Sequence, residues 1–176
     1  MKGYESFKPL MRTVPNFPKL GIDFKDITLL LNSPGAFSSL IGKMCKEIDT
    51  TDLDFIVGIE ARGFIFGAAI AAQLGLGFVP IRKLGKLPSK VISETYELEY
   101  GVATLEIHED AFRYRKQSNV LIVDDVLATG GTALAAIELV KKLEGTVVGL
   151  MFLMDIPKLG GEQALADYET MIIMDT

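Results

Sequence analysis

The amino-acid sequence predicts an α/β fold, with a central, mostly parallel sheet and helices on both faces. Three observations carry this expectation. Short apolar runs of strand length, FIVGI at residues 55–59 and VLIV at 120–123, are each followed by a polar turn and then by a stretch of helical period. Each helical stretch ends at glycine and leads into another apolar run, at residues 77–81 and 146–154. Strands that alternate with helices pair in parallel, and right-handed crossovers put the helices on both sheet faces.

In chain order, residues 1–32 are rich in Pro, Gly, Phe and charge and show no clean period. Ser33 and Pro34 then read as the N-cap and first position of a helix, with Phe37, Leu40, Ile41, Met44 and Ile48 on its apolar stripe. Cys45 lies at the edge of that stripe and reads as a packed small hydrophobe. The run 55–59 is a buried strand, broken by Glu60-Ala61-Arg62-Gly63, and residues 64–74 form an Ala-rich helix. Between the two units lie a basic, turn-rich segment, RKLGKLP at 82–88, and an alternating one, TYELEY at 95–100. Together they suggest an antiparallel ribbon or a long loop with strand character, and loops of this length in compact domains are usually functional. Residues 120–123 are the second buried strand, 124–132 a polar turn, and about 133–143 a helix with Ala133, Ala136, Ile137 and Val140 on one face. His108 alternates outward with Glu106 and reads as a surface residue.

Composition narrows the function. At 49% hydrophobic and 23% charged, the 176 residues suit one soluble domain with a sizeable core. The net charge of -5 argues against a nucleic-acid partner, though a few local amides and cations suffice for a phosphate ligand. One cysteine leaves no disulfide framework within the chain and no zinc site of paired cysteines. No apolar run reaches the roughly 20 residues of a membrane span, and the first residues lack the apolar core of a signal peptide. The expected compartment is the cytoplasm.

The segment with the most chemistry is NVLIVDDVLATGGT, residues 119–132. A buried strand ends in Asp124 and Asp125, and a small-residue loop opens into a helix. Backbone N–H groups of Ala128, Thr129, Gly130, Gly131 and Thr132, with the positive end of the helix, make a seat for a phosphate monoester. A valine at Gly131 would fill that seat and restrict the loop to negative φ. The two carboxylates can accept hydrogen bonds from paired sugar hydroxyls. The plain alternative is a strand-to-helix turn with an Asp cap. No Gly-Lys-Ser/Thr closes a phosphate loop of the ATPase kind, and Gly75-Leu76-Gly77 lacks the third glycine of a dinucleotide fold.

This segment resembles the phosphoribosyl pyrophosphate signature of the type I phosphoribosyltransferases. The remainder of the chain resembles the adenine branch of that family through Asn16-Phe17-Pro18, GIDFKDI at 21–27, GIEARGFIFG at 58–67, IRKLGKLP at 81–88 and YELEYG at 96–101. The resemblance implies a single domain over residues 1–176, with a base-binding hood at about 1–32 and a flexible loop at about 82–103. It implies transfer of the phosphoribosyl group to adenine, giving AMP and pyrophosphate, with magnesium held mainly by the substrate's pyrophosphate and with a homodimer as the assembly. Asp124 and Asp125 would bind the ribose hydroxyls and residues 128–132 the 5-phosphate. Ala61, Arg62 and Gly63, with Arg82, Lys83 and Lys86, would bind pyrophosphate. Phe24, Lys25, Val126 and Leu127 would hold adenine, and Glu99 would act near N7 of the purine, with Arg62 as the other catalytic group. The segment from Lys86 to Tyr100 would close as a lid that keeps water from the reacting ribose. Lys25 stands where Arg is common in the family, and Asp23 where a small apolar residue is common. The competing functions are transfer to another base and a non-catalytic sensor of phosphoribosyl pyrophosphate.

Overall fold

A computed structural model describes residues 3–21, 23–98, 101–115 and 117–174. The chain divides into two compact units, residues 1–47 and 48–176. The N-terminal unit thus takes in the helices that follow residue 32. It holds a 3₁₀ turn at Glu5–Leu10, strands β1 (Arg12–Val14) and β2 (Phe24–Asp26), and helices α1 (Thr28–Asn32) and α2 (Ala36–Met44). β1 and β2 pair antiparallel, with Thr13 opposite Lys25 and Val14 opposite Phe24. Ser33 is not an N-cap: it closes α1, and Gly35, at φ 79°, precedes α2. The apolar run Leu29-Leu30-Leu31 takes up its own helical turn first, which displaces the longer helix by two residues. Leu40, Ile41 and Met44 bury the inner face of α2, and Cys45 is buried beside them. Burial pushes its thiol pKa up, which suits a packing residue and not a nucleophile.

The second unit is built on a seven-stranded sheet. Its strands are β3 (Phe55–Ile59), β4 (Gly77–Lys83), β5 (Val91–Leu98), β6 (Gly101–His108), β7 (Asn119–Leu127), β8 (Thr146–Asp155) and β9 (Thr170–Met174). The order across the sheet is β5-β6-β4-β3-β7-β8-β9. The five strands from β4 to β9 run parallel, and β6 and β5 add an antiparallel edge. Helices α3 (Arg62–Leu74) and α4 (Gly131–Lys142) connect β3 to β4 and β7 to β8, and the short α5 (Gly161–Ala164) follows β8. The chain leaves β3 in one direction across the sheet and β7 in the other. Right-handed crossovers therefore place α3 and α4 on opposite faces. Accordingly, Ala133, Ala136, Ile137 and Val140 of α4 share one buried cluster with Val57, Ile122 and Phe152, and no α3 residue joins it. The adjacent strands β3 and β7 form the point where the winding reverses, the place where open α/β sheets bind ligands.

The expected flexible loop at 82–103 contains a paired hairpin. β5 and β6 are in register from Val91↔His108 to Leu98↔Gly101. Pairing to β4 at Arg82↔Glu106 and Lys83↔Leu105 joins the hairpin to the main sheet.

Candidate active site

Two strand ends meet at the reversal point. At the first, the Glu60–Ala61 peptide is cis, and α3 begins at Arg62. Gly63 is buried where a Cβ would lie 2.7 Å from the Val123 carbonyl oxygen and 2.9 Å from an Asp124 carboxylate oxygen. Only a glycine lets the start of α3 come so close to β7. Arg62 Nε then lies 2.7 Å from Asp125 Oδ2.

At the second, β7 continues through both aspartates to Leu127, so the polar turn expected from residue 124 starts only at Ala128. Parallel pairing of Asp124 with Phe152, Val126 with Met154 and Leu127 with Asp155 extends the strand. Asp124 is half-buried and Asp125 only 4% exposed. Burial pushes both carboxyl pKa values up. The charge of Asp125 pushes that of Asp124 further, and the Arg62 guanidinium pulls both back. A carboxylate pair with one counter-cation is a site poised for donors: sugar hydroxyls or a hydrated cation.

The loop 128–130 leads straight into α4. Its left-handed residue is Gly130, at φ 87°. Gly131 is not in that region, and the positive φ of this loop belongs to its neighbour. A Cβ at Gly131 would instead lie 3.4 Å from the Tyr96 ring and 3.6 Å from the Glu97 carbonyl oxygen. Gly130 has no side chain to cap α4, and the Gly131 N–H meets Thr129 Oγ1 at 3.5 Å, so a ligand at this helix start would find the amides of its first turn and the Thr129 hydroxyl. Asp124, Val126, Ala128, Thr129, Gly130 and Thr132 help line a cavity of about 60 Å³ there. Thr132 donates its hydroxyl to Tyr96 Oη at 3.1 Å, and Lys142 donates to the Ser93 carbonyl at 3.0 Å. Both bonds tie β5 along α4. Leu127 is 2% exposed, in the core. Gly161 comes close enough that a Cβ on it would meet Leu127 Cγ at 2.7 Å.

The basic residues Arg82, Lys83 and Lys86 end β4 and form the next turn. Arg82 is half-buried, and both lysines are exposed. Two carboxylates at this turn go beyond the sequence reading. Glu60 accepts from Arg82 Nη2 at 3.1 Å and from the Lys83 N–H at 3.0 Å. Burial opposes its charge, but these donors and the cations beside it hold its pKa below the usual range. Glu106, expected to face outward, is 5% exposed and accepts the Gly85 N–H at 2.8 Å. The alternation of β6 does turn Glu106 away from Leu105 and Ile107, but the turn after β4 covers it there. His108 is likewise half-buried, not a surface residue, and among the described residues its Nε2 has no hydrogen-bond partner.

Phe24 and Lys25 sit on β2 of the N-terminal unit. The Phe24 ring meets Phe17 edge-on, with centroids 5.3 Å apart, and Lys25 Nζ donates to Thr13 Oγ1 at 3.1 Å. The next residue, Asp26, takes hydrogen bonds from the Thr28 hydroxyl and amide and from Arg12, which hold its pKa down to about 2. Glu99 lies outside the described residues. The described residues thus bring together Arg62, Asp124, Asp125, the 128–132 loop and, through Glu60, the Arg82 turn.

The chain matches the family model described as a phosphoribosyl transferase domain over residues 30–174. It is 53% identical over 157 residues to the adenine phosphoribosyltransferase of Wolinella succinogenes, covering 89% of this chain and 86% of that protein. The crystal structure of adenine phosphoribosyltransferase from Thermoanaerobacter pseudethanolicus superposes with a TM-score of 0.93 at 45% identity, covering 98% of this chain and 99% of the other. The Saccharomyces cerevisiae enzyme, complexed with an imino-altritol bisphosphate and adenine, superposes with a TM-score of 0.89 at 40% identity and 97% coverage of both chains.

Proposed function

The chain belongs to the adenine phosphoribosyltransferases of the type I family, and from that premise we infer that it transfers the 5-phosphoribosyl group of phosphoribosyl pyrophosphate to adenine, giving AMP and pyrophosphate. One observation carries this reading at the level of chemistry. The carboxylate pair Asp124-Asp125, the start of α4 behind Gly130 and the Arg62 turn meet at the β3/β7 reversal. A sugar bearing a phosphate at one end and a charged leaving group at the other needs those three features together.

In this assignment the loop 128–132 and the N-terminus of α4 hold the 5-phosphate. Asp124 and Asp125 accept hydrogen bonds from the ribose hydroxyls. Residues 61–63, with Arg82, Lys83 and Lys86, receive the pyrophosphate, where fixed positive charge stabilises the leaving group. Phe24, Lys25, Val126 and Leu127 are assigned to adenine. As the bond from C1 to pyrophosphate breaks, positive charge builds on the ribose, and N9 of adenine forms the new bond. Positioning of the two reactants is then the main contribution of the protein. Glu99 is assigned to N7 of the purine, and the segment from Lys86 to Tyr100 to a lid that closes over the ribose.

The donor set fits magnesium as a substrate-borne ion. No group of three His, Cys, Asp or Glu side chains converges among the described residues, so pyrophosphate oxygens and water would supply most ligands. Asp124, the more exposed of the two adjacent aspartates, would accept hydrogen bonds from the ion's water shell. When bound, the ion neutralises charge on the leaving group.

A homodimer in the cytoplasm is proposed alongside, on family membership. Leu20, 89% exposed, and Phe17, 51% exposed, are apolar surface in the N-terminal unit that a second copy could cover. Among the described residues no helix is long and apolar enough to cross a membrane. Pyrophosphate release from phosphoribosyl pyrophosphate and magnesium, with and without adenine, tests the function. Release that requires adenine and yields AMP supports it, and no release with any base would favour a ligand sensor.

A further inference from the structure

Two carboxylates with no assigned part in the reaction converge on the turn after β4. Glu60, just past β3, accepts from Arg82 Nη2 and from the Lys83 N–H. Glu106, opposite Arg82 on β6, accepts the Gly85 N–H at 2.8 Å, and the Ser93 hydroxyl lies 3.5 Å away. Arg82 closes the turn from within, as its Nη1 donates to the Lys86 carbonyl at 2.8 Å. The Lys86 N–H donates to the Lys83 carbonyl at 3.2 Å.

These contacts are too specific for background charge. A carboxylate that is 5% exposed is costly unless its oxygens are bonded; Glu106 accepts the Gly85 N–H of this turn at Oε2 and the Ser93 hydroxyl on β5 at Oε1. Residues 82–86 carry three cations, whose mutual repulsion would otherwise open an exposed turn. Hydrogen bonds to an ionised acceptor are among the strong ones, and here the acceptors come from β6 and from the turn just past β3, the two strands that flank β4.

We propose that Glu60 and Glu106 are positioning residues for the transfer. They pre-form the turn 82–86, so that Lys83 and Lys86 are already presented when the pyrophosphate end of the substrate arrives. The proposal rests on the assignment of this turn to pyrophosphate. Preorganisation of this kind lowers the ordering cost of binding. It also makes a prediction of opposite sign to simple electrostatics. Two negative charges near a polyanion repel it, so neutralising them as mere charges would tighten binding. Losing them as struts would loosen it.

The test is steady-state kinetics of Glu106→Ala, Glu106→Gln and Glu60→Gln, with Tm measured for each. Glu106→Ala should raise KM for phosphoribosyl pyrophosphate on the order of tenfold, as expected for loss of a bond to a charged group. KM for adenine should stay constant and kcat should change less than twofold. Glu106→Gln keeps an amide oxygen for the Gly85 N–H, so it should recover most of the loss, and Glu60→Gln, which loses its charge beside Arg82, decides the matter if the alanine variant does not fold. Glu60→Gln should also raise that KM. An unchanged or lowered KM for phosphoribosyl pyrophosphate in Glu60→Gln, and in Glu106→Ala where it folds, overturns the positioning role and leaves the transferase assignment standing. A wild-type protein that transfers nothing to adenine overturns both.

Discussion

The loop between β7 and α4 and the turn between β4 and β5 carry the two ends of the same proposed substrate, yet they are held in different ways. The first is local. A buried strand, two carboxylates, a glycine at φ 87° and a helix start follow one another within residues 119–132. The second is assembled from a distance: Glu60 comes from 22 positions before Arg82, and Glu106 from 21 positions after Gly85. A seat made of backbone amides needs only the right local chain. A cluster of like charges needs counter-charges, which the fold must bring from neighbouring strands.

The largest expected effect lies in the local seat. Asp124→Asn with Asp125→Asn should fold and should lose about 2–5 kcal/mol of transition-state stabilisation, read as kcat/KM for phosphoribosyl pyrophosphate. Near-normal kcat/KM would move the ribose contacts elsewhere and leave the basic turn as the main determinant.

Gly131→Val comes next. Its branched side chain would press on the Tyr96 ring and the Glu97 carbonyl, 3.4 and 3.6 Å from a Cβ, and would crowd the start of α4. A cost of about 1–3 kcal/mol is expected for such overpacking. Ligand-induced thermal stabilisation should disappear while the unliganded protein still melts cooperatively. Full stabilisation by phosphoribosyl pyrophosphate in this variant would place the phosphate outside the loop.

The third effect separates stability from function within the local seat. Burial raises the pKa of both aspartates, Asp124 further through its neighbour. Between the ordinary carboxylate value and the raised one, the folded state holds more protons than the unfolded state. The unliganded protein should therefore gain stability as pH falls from neutral into that window, and lose it as pH rises back through the raised values. Asp124→Asn should flatten this slope and stabilise the unliganded protein at neutral pH on the order of 1 kcal/mol, a Tm rise of about 2–4 °C. Binding of phosphoribosyl pyrophosphate should weaken in the same variant. A lowered Tm would mean that Arg62 outweighs the burial of the pair.

How much of this was legible in the sequence follows the same division. Periodicity and punctuation suffice for β3, α3, β7 and α4, because each is one apolar run bounded by polar or glycine residues. The end of β7 is misjudged by four residues, because adjacent aspartates look like a turn until the pairing with β8 carries them into the sheet. Glu106 and Glu60 are invisible as struts, since their partners are backbone N–H groups and an arginine on another strand. His108 fails for a related reason: alternation predicts which face it occupies, but not what covers that face. The segment 82–103 reads as loop or ribbon because its edge pairing is to its own return strand, which has few core residues to announce it.

The smallest effect joins the two regions. Tyr96→Phe removes the hydroxyl that Thr132 bonds at 3.1 Å, a loss of about 0.5–1.5 kcal/mol. It should raise KM for phosphoribosyl pyrophosphate a few-fold and leave KM for adenine unchanged. No change in either would mean that the hairpin and the seat act independently.

The central claim is a phosphoribosyl transfer directed to adenine, and competition between bases tests it most directly. Purified protein with magnesium and phosphoribosyl pyrophosphate is given adenine against hypoxanthine and against guanine, and the nucleotide products are quantified. The account predicts AMP as the dominant product, with kcat/KM for adenine well above that for either oxopurine. Equal or faster formation of IMP or GMP would contradict it.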